Sequence, residues 1–134
     1  MSRVLRDKLV WTNLLFFAGS VVAYTNYNLE LTVLCFSVFV LSVAYHRNAE
    51  MEYEMVEGFV AKLAFIYGIA QTFNKAPSQS IFVIELLLGI AILLTYLCVG
   101  HLELVSYEPW HCLQHIFPGI YLFLVALLHE PLIF

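Results

Sequence analysis

The fold is decided by Ser80-Ile81-Phe82-Val83-Ile84-Glu85-Leu86-Leu87-Leu88-Gly89-Ile90-Ala91-Ile92-Leu93-Leu94-Thr95-Tyr96-Leu97-Cys98-Val99, in which Glu85 is the one charge. A helix that crosses a bilayer needs about 20 mainly apolar residues, and this run supplies that length. Working back, Asn74-Lys75-Ala76-Pro77-Ser78 reads as a loop with proline as the breaker. Before it lies a third run from about Val56 to Phe73, which contains Lys62. The second run, from about Leu29 to Tyr45, has no charge after Glu30. It ends at His46-Arg47-Asn48 and is joined to the third by an acidic connection holding Glu50, Glu52, Glu54 and Glu57. The first runs from about Leu9 to Tyr24, led by Trp11, and Thr25-Asn26-Tyr27-Asn28 forms the turn after it. On the other side, a polar loop with Glu103, Glu108 and Pro109 precedes a fifth run from about Trp110 to Leu128, closed by Glu130-Pro131. Pro118 inside that run predicts a kink and a backbone carbonyl freed about one turn earlier.

Composition agrees. Of 134 residues, 62% are hydrophobic and 12% charged, with mean hydropathy +0.85, whereas a soluble domain carries about 25% charged residues. The expected fold is an all-α, polytopic membrane helical bundle of about five transmembrane helices, with residues 1–134 as a single domain and no internal repeat. Orientation follows Lys and Arg rather than net charge. Arg3, Arg6, Lys8 and Arg47 fall on one side and Lys75 alone on the other, which puts the N-terminus on the cytoplasm-like side and the C-terminus across the membrane. The basic N-terminus imitates a signal peptide, but Ala18-Gly19-Ser20 is a weak cleavage site, so the first run reads as a retained span. No basic tract points to nucleic acid. Cys35, Cys98 and Cys112 lack CxxC spacing and read as small buried hydrophobes. Lys62 and Glu85 are not expected to face lipid. Each either pairs across the bundle or snorkels to the nearer interface.

Alternating helix directions would bring the end of the second helix, the start of the third, the end of the fourth and the start of the fifth to one membrane face. Ser42 and His46 stand one turn apart, as do His111 and His115 in Trp110-His111-Cys112-Leu113-Gln114-His115. Three imidazoles from two helices, with an open fourth position, match the ligand set of catalytic zinc. Such a metal lowers the pKa of its water to about 7. Glu57, or Glu54 near it, could move the proton, and Ser42 could hold the water or a developing oxyanion.

These pieces resemble the alkaline ceramidase and progestin/adipoQ-receptor superfamily of seven-helix membrane proteins, several of which are zinc-dependent amide hydrolases or lipid-remodelling proteins. The resemblance rests on Ser42-Val43-Ala44-Tyr45-His46 near the end of an early helix and on the His111, His115 pair in the last. It implies His46, His111 and His115 as zinc ligands with Ser42 as polar support. The family's acid is typically Asp where Glu57 stands here, and two helices separate the motifs where the family has four. Loss of one hairpin preserves every helix direction.

Plainer readings of the same residues lead the account. His111 and His115 at a helix mouth suit interfacial positions bonded to loop carboxylates such as Glu108, with Trp110 in the aromatic belt. Ser42 suits a hydroxyl bonded to a carbonyl one turn back, residues 50–57 a solvated acidic turn, and His101 and His129 polar caps. On these terms the chain is a small, non-enzymatic accessory subunit without a cofactor, contacting the lipid bilayer and other membrane subunits. The mitochondrial inner membrane is one compatible location, and endomembranes are another. The runner-up is the reduced zinc hydrolase acting on a lipid amide or ester. A third reading is a haem or quinone anchor, with His46 and His111 or His115 as haem ligands on separate helices.

Overall fold

Two short polar stretches set the hairpins of the fold. The computed structural model describes residues 11–48, 51–97 and 107–131, with side chains over 11–45, 56–97 and 113–131. Among these residues there are five helices and no strand: α1 (Leu14–Thr25), α2 (Leu29–Asn48), α3 (Met51–Lys75), α4 (Gln79–Tyr96) and α5 (Tyr107–Leu128). At the end of α1, the Asn28 N–H reaches back to the Ala23 carbonyl at 2.8 Å. That closure requires Tyr27 to adopt φ 59°, the left-handed conformation usually left to glycine. Asn28 then caps α2, its Oδ1 accepting the Leu31 N–H at 3.2 Å. Ser78 does the same for α4, accepting from Ile81 N–H at 3.3 Å.

Two boundaries differ from the reading of the sequence. The acidic stretch before residue 57 is not a connecting turn: α3 already begins at Met51, so Glu52, Glu54 and Glu57 lie on helix. Carboxylates in opening turns complement the positive end of the helix dipole, so a polar segment here favours helix as readily as loop. Likewise α5 starts at Tyr107 and runs on through Pro118.

Helix α5 is central. It packs against α1, α3 and α4, while α2 is held by α1 and α3. The core is drawn from Phe16, Leu31, Cys35, Tyr121 and Val125, all buried. Glycines set the closest approaches: a Cβ on Gly119 would lie 2.6 Å from the Leu15 Cβ, and one on Gly19 3.7 Å from the Phe123 Cα. Asn26 Nδ2–H donates to the Ala126 carbonyl at 2.9 Å. The pairs 15 with 119, 19 with 123 and 26 with 126 ascend together, so α1 and α5 are parallel. Gly68 abuts Tyr121 and Lys75 Nζ donates to the Pro131 carbonyl at 2.9 Å, which makes α3 parallel to both. Short hairpins leave α2 and α4 antiparallel to them. Ser42, Glu57 and His115 therefore stand toward one end of the bundle, and Asn28, Glu30, Gln71, Glu85 and His129 toward the other.

Burial is inverted along α4. Its buried residues are Glu85, Gly89, Ile92 and Thr95, whereas Leu87, Leu93 and Leu94 are 61%, 53% and 54% exposed. Among the described residues α4 is the one helix long and apolar enough to cross a membrane. Its 18 residues span about 27 Å, close to a hydrocarbon core. Lys62 lies on the exposed side of α3, so it does not pair inside the bundle as Glu85 does.

Candidate functional site

The end that holds the histidine motif shows one clear bond. His115 is buried, and its Nδ1 lies 2.6 Å from Asn13 Oδ1. Asn13 precedes α1 and is also buried, yet its side chain makes no cap bond to the helix. The side chain that would ordinarily cap α1 is turned onto α5 instead. An amide oxygen is an acceptor only, so Nδ1 of the neutral ring carries the proton and Nε2 the lone pair.

Ser42 is fully buried, and among the described residues its Oγ has no hydrogen-bond partner. The bond to a carbonyl one turn back that the sequence suggested is not made. Glu57 stands within electrostatic reach of Tyr96 on α4. Ser42 and His115 belong to α2 and α5, which are not a principal packing pair, and α1 lies against both. His46 and His111 fall on helix, but their side chains, with Glu54, Glu108, Trp110 and Cys112, lie outside the described ones, as do His101 and Cys98 altogether. Of the cysteines, Cys35 is buried and unbridged, and burial pairs it with the apolar core as expected.

The opposite end carries a denser network. Glu85 is fully buried. Thr72 Oγ1–H donates to its Oε2 at 2.8 Å. His129 Nε2 lies 2.7 Å from Oε1 and 2.9 Å from Oε2. Thr72 has one proton and gives it to Glu85, so at the 2.8 Å contact between Thr72 Oγ1 and Tyr121 Oη the phenol is the donor. Every donor in the chain Tyr121, Thr72, Glu85 points toward the carboxylate. His129 Nε2 reaches both carboxylate oxygens, and its buried Nδ1 has no partner among the described residues.

One turn back on α3 a second cluster gathers on Tyr67. Its hydroxyl donates to Glu30 Oε2 at 2.5 Å, shares that proton with Asn28 Oδ1 at 3.1 Å, and accepts Gln71 Nε2–H at 3.0 Å. The second polar atom of each of those groups (Asn28 Nδ2, Glu30 Oε1 and Gln71 Oε1) is buried without a partner among the described residues.

Sequence reasoning marked Glu85 as a group in need of a partner but read His129 as a cap. Each is an ionisable group in or at the end of an apolar run, which is signal enough to suspect both. The pairing itself spans 44 positions and follows from how α4 docks on α5. No family model, curated protein or solved structure matches this chain.

Proposed function

We propose that the chain is an integral membrane protein that serves as a small, non-catalytic subunit of a larger membrane assembly. The observation that carries this is the pattern of burial: glutamate, histidine, glutamine and asparagine share the interior with the apolar core, while many leucines, isoleucines and phenylalanines cover the outside. A water-soluble monomer rarely exposes so much contiguous apolar surface, and a soluble helix would turn its leucines, not Glu85 and Thr95, to the core. Between α3 and α4 the surface also forms an apolar groove of ≈ 380 Å³, lined by Phe65, Ile69, Phe73, Leu86, Gly89 and Leu93. Lipid chains or a neighbouring apolar helix suit such a groove equally by chemistry. The test is to purify the chain by itself in mild detergent. On this reading it loses its fold or aggregates alone and becomes monodisperse only with its partner subunits. A chain that is monodisperse and active alone overturns it.

A specific observation favours a second reading, the zinc-dependent hydrolase. Histidines that bind metal through one nitrogen characteristically donate the other to an oxygen acceptor, which fixes the ring; Asn13 does this for His115. His46, His111 and His115 would hold the metal, Glu57 would move the proton and Ser42 would face the polarised group. Elemental analysis tests it. About one zinc per chain is expected, lost in His111→Ala/His115→Ala and weakened about 10- to 100-fold by Asn13→Ala. No metal in the parent protein ends this reading.

A further inference from the structure

We propose that Glu85 and His129 form a proton-binding site, in which His129 takes up and releases one proton at Nδ1 while its Nε2–H stays on Glu85. The inference stands on the geometry of the pair and does not depend on either reading of the opposite end.

The carboxylate is surrounded by donors. Thr72 donates to Oε2, Tyr121 supports Thr72 from behind, and His129 Nε2 reaches both oxygens. On this proposal the acid is ionised and Nε2–H is the second donor to it. A buried carboxylate needs a compensating charge. The groups that face the pair leave one source for it. From α3 come Thr72 and, at the helix end, Lys75, whose ammonium donates to the Pro131 carbonyl. From α5 comes Tyr121, bonded to Thr72. The segment after α5 carries Glu130, which is exposed. Glu30 of α2 is taken by Tyr67. Among the described residues no Lys or Arg is bonded to Glu85, and the contact within ion-pair distance is with His129. Imidazolium formation is thus the step that neutralises the interior.

With Nε2–H held between both carboxylate oxygens, the proton that comes and goes does so at Nδ1, the buried ring atom that has no partner among the described residues. The proton is exchanged with water. No bond other than N–H forms or breaks, and the net charge of the pair alternates between −1 and 0.

The experiment uses full-length protein with ¹⁵N-labelled histidine in lipid nanodiscs, with the His129 ring signals identified by their loss in His129→Gln. Across a titration from about pH 4 to pH 10, Nδ1 is expected to pass between the protonated and lone-pair ranges while Nε2 remains protonated throughout. In Glu85→Ala the neutral ring should no longer be confined to the Nε2–H form, and Nδ1–H signal should appear. A ring that keeps one protonation state over the whole range overturns the proposal, as does a neutral ring protonated at Nδ1 in the parent protein. The parent titration decides the matter by itself should Glu85→Ala fail to fold.

Discussion

Gly68 on α3 and Tyr121 on α5 meet so closely that a Cβ on residue 68 would stand 2.6 Å from the Tyr121 ring at Cε1. The ring has nowhere to retreat. It is fully buried, and its hydroxyl is tied to Thr72, which in turn holds Glu85. One backbone contact thereby sets the position of the whole polar chain.

Gly68→Ala should therefore destabilise the fold, by about 1–3 kcal/mol as for other overpacked sites. Gly58, on the same helix, has open space where its Cβ would go, so Gly58→Ala should be neutral or stabilising by up to about 1 kcal/mol through helix propensity. Thermal midpoints of the two variants in detergent, side by side, check the contrast.

Removing one member of the buried pair should cost more than removing both. Glu85→Leu alone leaves His129 inside without its acceptor, and losses of about 3–5 kcal/mol are usual for a broken buried pair. The double variant Glu85→Leu/His129→Leu should recover a large part of that loss. A double-mutant cycle with no coupling would contradict the bonds at 2.7 and 2.9 Å.

Ser42 offers the opposite case. Its buried hydroxyl has no partner among the described residues, so Ser42→Ala removes an uncompensated polar group and should leave stability unchanged or raise it by about 1 kcal/mol. Thr72→Val, which removes a hydroxyl bonded on both sides, should lower it by about 1–3 kcal/mol. If a lipid amide turns over, Ser42→Ala should instead lower turnover while stability holds, which separates the two roles of this side chain.

Much of the fold was legible because each apolar run is long enough to be a helix and each break carries its own turn chemistry, as at Tyr27 and Ser78. The start of α3 was not. Glutamates in sequence look like a loop, yet they suit the first turns of a helix. At the site, the one-turn spacings of Ser42 with His46 and His111 with His115 could be read directly, and the alternating helix directions do set Ser42, Glu57 and His115 toward one end. Their partners could not be read. Asn13 looks like a cap for α1, and only the packing of α1 along α5 turns it onto His115. Similarly, nothing in periodicity says that Glu85 meets His129, because that pairing depends on how α4 docks on α5.

The central claim is that the apolar exterior is solvated by lipid while the polar residues face inward. It is tested most directly by spin labels placed one at a time along residues 83–94 of α4 in liposomes, read for collision with oxygen and with a water-soluble nickel complex. Labels at Leu87, Ile90 and Leu94 should collide with oxygen and escape the nickel complex. Labels at Gly89 and Ile92 should be reached by neither, giving oxygen access the period of a helix. If the Leu87 and Leu94 positions instead meet the nickel complex freely, the exposed face of α4 lies in water and the account is wrong.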